Sequence, residues 1–166
     1  MTLRAFAFAA AAVGAIASAA VVASTLVPGG PLAPHWVIWP LFAGCIAVNA
    51  ETARAFASRR TELTQRLRET PRPLFLIAAA VFALSMQAVL TNHGSPERHG
   101  RAYYLRNHTE LTRVSRAEFR YAERKEERLF AGVALVFYLA ALIALSPPGW
   151  AGRETVTGPT RAQPTP

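Results

Sequence analysis

The chain has 166 residues, 52% of them hydrophobic and 17% charged, with a formal net charge of +8 and one cysteine, Cys45. Its apolar residues fall in long uncharged blocks, which is typical of a membrane protein and disfavours a water-soluble domain of this length. A single cysteine excludes an intrachain disulfide. Because the basic residues flank the apolar blocks, the net charge indicates contact with anionic lipid headgroups and argues against a nucleic-acid partner.

The first apolar block, residues 5–27, predicts a membrane-spanning helix. At about 1.5 Å per residue, a helix of this length crosses a hydrocarbon core of about 30 Å. The basic start and the Ala-Ser-Ala tripeptide at 17–19 also fit a secretory signal that is cleaved after Ala19. The apolar run continues well beyond that site, which favours a retained helix. Ala10, Gly14 and Ser18 are spaced by four residues and predict a face that another backbone approaches closely.

Two further blocks predict the second and third spans, at about 36–57 and 74–90. Glu51, near the end of the second block, is a candidate acid within the membrane. The alternative places Glu51 at headgroup depth, paired with Arg54 three residues later on the same helix face. We favour this alternative, because a charge at the centre of a bilayer costs several kcal/mol.

The stretch that follows predicts a β-hairpin over about 101–114. Residues 101–106 and 111–114 contain the Tyr, Leu, Thr and Val that suit strands, and the residues between them predict a turn. Two strands alone are marginally stable in water. We therefore expect the hairpin to lean on the next helix or on the membrane surface through Tyr103 and Tyr104.

Ser115 and Glu118 form a capping box, which marks the start of a helix. No proline interrupts residues 116–145, so the sequence predicts one helix about 45 Å long. Its apolar part, 129–145, predicts the fourth span. The charged part would then extend about 20 Å beyond the apolar part as a charged helix.

Arginines recur at every fourth position in this charged part, at Arg116, Arg120, Arg124 and Arg128. One interpretation is a binding site for anionic lipid or an acidic partner. The other is a solvated face whose arginines pair with neighbouring glutamates, and it is favoured because such charge patterns are common on exposed helices.

The run from Gly100 to Phe119, GRAYYLRNHTELTRVSRAEF, resembles a segment of small, uncharacterised bacterial multi-spanning membrane proteins. In these proteins a Tyr-Tyr-Leu-x-Asn-His hairpin and an acidic-aromatic helix start precede the last span. The resemblance covers about residues 100–121 and implies location and fold, without an activity. The related segments carry Gly after the His, where this chain has Thr109. Because a β-branched residue disfavours the left-handed conformation, we expect a wider turn over 107–110.

The sequence contains no motif that indicates catalysis. It lacks G-x-S-x-G, a phosphate-binding loop and H-E-x-x-H. Its histidines have a spacing that matches no closed metal site, and they are His35, His93, His99 and His108. We therefore predict that the protein is not an enzyme and holds no metal or cofactor.

The sequence thus predicts an all-α membrane protein with one four-span domain over 1–150 and a disordered tail at 151–166. We expect a binding or accessory protein that engages a partner protein, a second copy or anionic lipid. The candidate surface comprises Tyr103, Tyr104, Asn107, His108, Arg116, Arg120 and Arg124. The alternative is a small oligomeric transporter or channel subunit that uses Glu51.

Orientation follows from the arginines near the spans. The short 51–73 loop is dense in Arg, and the uncharged Pro-Gly loop after the first span is easily translocated. These features predict a cell-membrane protein with both termini in the cytoplasm and the hairpin outside.

Overall fold

A computed structural model describes residues 3–27, 30–57, 64–65, 68, 70, 72–91 and 94–146, with every side chain in the helices except those at 35, 88 and 89. This part of the chain forms helices α1 (Leu3–Leu26), α2 (His35–Phe56), α3 (Arg72–Leu90) and α4 (Arg116–Leu145), and strands β1 (Ser95–His99), β2 (Ala102–Asn107) and β3 (Glu110–Val114). The predicted tail at 151–166 lies outside the described residues.

Helix α4 lies at the centre of the helix bundle. It packs against α1, α2 and α3, and α1 also packs against α2. Hydrogen bonds join the charged part of α4 to Val27 after α1, to Ala33 before α2 and to Thr91 after α3. These contacts place the ends of α1 and α3 and the start of α2 together, so successive helices alternate in direction. We call this end of the bundle, where the strands also lie, the sheet end.

Tyr138 of α4 fills a slot between α1 and α2. Its side chain is buried, and its hydroxyl donates a hydrogen bond of 2.7 Å to the Leu41 carbonyl. A Cβ atom at Gly14 would overlap the Tyr138 ring, and one at Gly44 would lie 2.7 Å from the hydroxyl. Gly14 and Ser18 are buried, as a contact face requires, but the group that approaches Gly14 is the Tyr138 ring and not a helix backbone.

Small residues also bring α3 and α4 together. A Cβ atom at Gly132 would overlap the hydroxyl of Ser85, which is buried and donates a hydrogen bond of 2.8 Å to the Val81 carbonyl. Contacts between glycine and small hydroxyl residues are typical of helix pairs in membranes, because they allow close backbone approach.

The outer faces of the helices are apolar. Large side chains that are half to three-quarters exposed include Val13, Ile16, Ile46, Leu76 and Ile77. Three helices are long and apolar enough to cross a membrane: Leu3–Leu26, Trp36–Phe56 and Arg116–Leu145. In the described part of α3, Arg72–Gln87 forms a shorter apolar helix. The predicted span at 74–90 is thus not among the three.

The predicted hairpin is the larger part of a three-stranded antiparallel sheet with the order β1-β2-β3. Strand β1 was not predicted, because its sequence SPERH lacks the β-branched and aromatic residues that indicate a strand. Pro96 is tolerated there because β1 is an edge strand. The N–H that proline lacks would face away from β2, so no hydrogen bond between the strands is lost.

The expectation of a wider turn at 107–110 was wrong. Asn107 pairs directly with Glu110, so only His108 and Thr109 connect β2 to β3. The left-handed residue is His108, with φ of 53°, and histidine adopts this conformation more readily than a β-branched residue. The turn is therefore tight without a glycine after the histidine.

The Tyr138 slot is tested by replacing Gly14 with alanine. A Gly-to-Ala change in a helix ordinarily favours the helix by about 1 kcal/mol. Here the added methyl group overlaps the Tyr138 ring, so we expect Gly14→Ala to lower the free energy of unfolding by about 1–3 kcal/mol. Thermal unfolding of the purified protein in detergent, followed by circular dichroism, measures the change.

The control is Ala9→Val, which adds methyl groups on the exposed face of the same helix. We expect it to change stability by no more than about 0.5 kcal/mol. If Gly14→Ala were as stable as the unmodified protein, the packing of Tyr138 against α1 would be refuted.

Candidate functional site at the sheet and the charged part of helix α4

The two faces of the sheet have different surroundings. Side chains alternate along a strand, so Tyr103 and Leu105 lie on one face of β2 and Tyr104 lies on the other. The Tyr103 ring centroid is 4.9 Å from that of Phe119, which is buried on α4. Tyr103 therefore makes the predicted contact with the helix, whereas Tyr104 lies on the opposite face of β2, and contact of Tyr104 with the membrane surface stays a prediction.

We call the face that is directed away from α4 the outer sheet face. The strand pairing places these residues on it: Glu97, His99, Tyr104, Arg106, Leu111 and Arg113. The rings of Tyr104 and His99 meet edge to face with centroids 5.4 Å apart. The outer sheet face thus combines an aromatic pair with charges of both signs.

An ion pair across two strands organises the outer sheet face. Arg106 donates from Nη2 to Glu97 Oε2 at 2.9 Å, and its Nε lies 2.5 Å from Oε1. The hydrogen bond from Arg106 is the main cause of a lowered pKa for the Glu97 carboxyl, and a second hydrogen bond to His99 lowers that pKa further. Glu97 is therefore held in its ionised form at neutral pH.

Four other residues of the predicted surface are exposed. Asn107 and His108 lie at the tip of the turn, and Arg116 and Arg120 lie in the first turns of α4. The predicted capping box is confirmed: Ser115 Oγ accepts a hydrogen bond from the Glu118 N–H, and the Glu118 carboxylate accepts one from the Ser115 N–H. The cap fixes the direction in which α4 leaves the sheet.

The arginine row has a role that neither interpretation anticipated. Arg124 donates to the carbonyls of Val27 and Gly30 at 2.9 and 3.0 Å, and Arg128 donates to the Thr25 carbonyl at 3.1 Å. The last carbonyls of a helix lack partners within the helix and carry partial negative charge. Arg124 and Arg128 therefore cap α1, and Arg124 already binds within the protein instead of facing a partner.

The residues between these arginines contact the ends of other helices. Lys125 donates from Nζ to the Thr91 carbonyl, just after α3, at 2.9 Å. The Glu127 carboxylate accepts a hydrogen bond of 3.2 Å from the N–H of Ala33, just before α2. Five consecutive charged residues, 124–128, thus form a charged turn of α4 that contacts three other segments. The sequence feature that could have indicated this charged turn is its position directly before the apolar block at 129–145.

Glu51 lies near the other end of α2 and forms the predicted pair with Arg54. The guanidinium donates to both carboxylate oxygens, with distances of 2.9 Å to Oε2 and 2.8 Å to Oε1. The Glu51 side chain is 23% exposed and that of Arg54 is 69% exposed. A carboxylate with both oxygens held by an arginine is poorly placed to take up and release a proton.

Among the described residues, no group of three or more metal-ligating side chains lies together. No protein-family model matches the chain, and no curated protein or solved structure is significantly similar to it. The resemblance of residues 100–121 to small bacterial membrane proteins stays a prediction.

The cap on α1 is tested by Arg124→Gln. The shorter amide cannot reproduce both charged hydrogen bonds, and because one is exposed and the other only partly buried, each contributes less than the about 1.5–3 kcal/mol typical of such a bond. We expect the free energy of unfolding to fall by about 1–3 kcal/mol, measured by thermal unfolding in detergent.

The matched control is Arg120→Gln, one helical turn earlier on the exposed face. It removes the same charge but leaves α1 capped, so we expect little change in stability. Equal effects of the two substitutions would show that the loss of a positive charge, and not the loss of the cap, lowers the free energy of unfolding.

Proposed function

We propose that this chain is a multi-pass protein of the cell membrane that binds a partner protein through its outer sheet face. One observation carries this proposal: the sheet is fixed to α4 by its other face, through Tyr103 and Phe119, which leaves Tyr104 and its neighbours outside the helix bundle. A third strand and a helix contact give this small sheet the support that an isolated hairpin lacks.

The chemistry of the outer sheet face favours a protein as the partner. Tyrosine and arginine are enriched in protein interfaces, and both occur here beside an acidic residue. A surface that bound only anionic lipid would need clustered positive charge. Glu97 interrupts the positive charge of Arg106 and Arg113, so a partner with both charged and apolar groups fits better.

We further propose that α3 is the remaining crossing, which brings the number of spans to four. Its 19 residues correspond to about 28 Å of helix. It runs beside the apolar part of α4, where Gly132 meets Ser85, and its Leu76 and Phe82 side chains are exposed. These features support an apolar segment at the same depth as the last span.

Retention of α1 is part of the same proposal. Its buried residues continue beyond position 19 to Val21, Val22 and Thr25, and Thr25 binds Arg128. Cleavage after Ala19 would remove this contact. With four crossings, the two termini lie on one side, and the dense arginines of the 51–73 loop favour the cytoplasm for that side.

A binding role is better supported than transport. Residues 5–27, 74–90 and 129–145 contain no ionisable side chain other than Tyr138, whereas ion coupling generally uses an acid within the membrane. Glu51 is the candidate acid for transport, but both of its carboxylate oxygens accept hydrogen bonds from Arg54.

Cysteine labelling tests the orientation. In a Cys45→Ala background, Glu110→Cys places a single thiol in the sheet, and Thr64→Cys places one in the loop before α3. We expect a membrane-impermeant maleimide to label position 110 in intact cells and position 64 only after the membrane is opened. The reverse pattern would invert the topology, and labelling of both positions in intact cells would exclude a single crossing by α3 between them.

Photo-crosslinking tests the outer sheet face. We expect a photoreactive phenylalanine analogue at position 104 to yield a discrete crosslinked product in living cells, and Arg113→Glu to abolish it by reversing a charge on the same face. The analogue at position 121, an exposed tyrosine of α4, is the matched control and should give no such product. A product that persisted in Arg113→Glu, or that formed equally from position 121, would refute the outer sheet face as the binding surface.

A further inference from the structure

The two edges of the sheet differ in the backbone groups that they offer. In an antiparallel pair, residues that exchange hydrogen bonds with the neighbouring strand alternate with residues whose N–H and C=O groups face away from it. Both turns of the sheet have two residues, 100–101 and 108–109, and the pair that closes such a turn is hydrogen-bonded. The strand pairing therefore identifies the residues that face outward on each edge.

The β1 edge is closed to a further strand. Its outward-facing residues are Pro96 and Arg98, and proline has no N–H to donate. The side chain of Arg98 donates a hydrogen bond of 3.1 Å to the carbonyl of Gly100, within the adjoining turn. Proline and charged side chains on an edge strand are common means of preventing its pairing with another chain.

The β3 edge has no proline. Its outward-facing residues are Leu111 and Arg113, and each offers both an N–H and a C=O. Among the described helices and strands, β3 packs along its length against β2 alone, so nothing in this part of the chain covers its other side. An open edge of this kind is a template for an added strand, and several peptide-binding domains bind their ligands in this way.

We infer that the partner adds an extended segment to β3 as a fourth, antiparallel strand, an inference that rests on the proposed function. The side chains of Leu111 and Arg113 lie on the outer sheet face, so a strand that pairs with these residues enlarges the proposed binding surface. Each of the two residues exchanges an N–H and a C=O hydrogen bond with the added strand. Antiparallel pairing is slightly more stable per residue than parallel pairing and continues the existing sheet.

The side chains of β3 indicate the chemistry of the partner segment. Arg113 is exposed, and its guanidinium has no ion pair within the described part of the chain, while Leu111 is 46% exposed. Opposite charges and apolar pairs are favourable directly across two strands. The partner segment therefore has an acidic residue opposite Arg113 and, two positions later, an apolar residue opposite Leu111. A basic residue follows opposite Glu110, which is exposed on the other face.

A second copy of this chain fits the β3 edge less well. The antiparallel register that engages the outward-facing groups of both copies places Arg113 opposite Leu111 and Glu110 opposite Val114. Neither charge then lies directly across from an opposite charge. A segment with an acidic and a basic residue at the stated positions pairs both charges, so we assign the edge to a partner segment of this kind.

Disulfide tethering tests the edge with the full chain in detergent. In a Cys45→Ala background, Thr112→Cys places a single thiol between the two outward-facing residues, where the added strand forms a pair without hydrogen bonds. The Cα atoms of such a pair are about 4.5 Å apart, which a disulfide can span. The probe is the acetylated and amidated peptide Val-Glu-Cys-Leu-Lys, whose Glu, Cys and Leu fall opposite positions 113, 112 and 111. In a glutathione redox buffer, intact-mass spectrometry measures the ratio of peptide-joined to glutathione-joined protein.

The matched control changes only the backbone of the peptide. N-methyl groups on its Glu and Leu remove the two N–H donors that face β3, whereas N-methyl groups on its Cys and Lys remove two that face away. We expect the first change to lower the ratio about tenfold and the second to change it by no more than about twofold. With Thr109→Cys, in the exposed turn, the two peptides should give equal ratios.

Two outcomes of the tethering experiment would overturn the inference. One is an equal ratio for the two N-methylated peptides at position 112, which would show that the backbone of the edge is not used. The other is a disulfide between two protein chains in preference to the peptide, which would assign the edge to a second copy.

A proline variant tests the edge in living cells. Leu111→Pro removes one outward-facing N–H and keeps the pairing with β2, whereas Leu111→Val alters the side chain and keeps the N–H. We expect the product crosslinked from position 104 to be lost in Leu111→Pro and kept in Leu111→Val. Circular dichroism checks that each purified variant is folded, and the peptide ratio decides the inference if the proline variant is not.

The two proposals fail differently in this experiment. A product that persisted in the folded Leu111→Pro variant would overturn the added strand but leave the outer sheet face as the binding surface. Absence of any product from position 104 in the chain with an unmodified β3 would refute the proposed function, and the peptide ratio would then decide by itself whether the edge binds a strand.

Discussion

The arrangement of the helices depends on a single charged turn, residues 124–128 of α4. The last carbonyls of a helix have no partner within the helix, so another part of the protein can supply donors to them. Arg124 and Arg128 supply them to α1, and Lys125 supplies one near α3. Glu127 contacts the segment that leads into α2. One turn of helix therefore sets where three other segments begin or end.

Deeper in the bundle, small side chains rather than charged ones determine how closely the helices pack. Tyr138 occupies space that exists only because positions 14 and 44 are glycines, and its hydroxyl has a carbonyl partner at Leu41. Ser85 and Gly132 achieve a similar close contact between α3 and α4. In a bilayer, where lipid would be as apolar as these helices, such close packing and hydrogen bonding would hold them together, rather than burial of apolar surface.

The features that could be predicted from the sequence are those with a local physical cause. Long uncharged blocks gave the positions of the helices, and the Ser115–Glu118 capping box located the start of α4. The pairing of Glu51 with Arg54 was also predictable, because their spacing of three residues places them on one helix face. In each case the interacting groups are neighbours in sequence.

The features that were missed depend on distant contacts. Strand β1 has no strand-like sequence and is extended because β2 pairs with it. The hydrogen bonds of Arg124 join residues more than ninety positions apart, which no periodicity reveals. The sequence identifies charges that recur every four residues, but whether they face solvent, lipid or a helix end is decided by the packing of α1 beside α4.

In the described part of the chain, the sheet is connected to the helix bundle mainly through α4. A displacement of the strands would therefore reach the other three helices through α4, both at the charged turn 124–128 and along the packing of α4 against them.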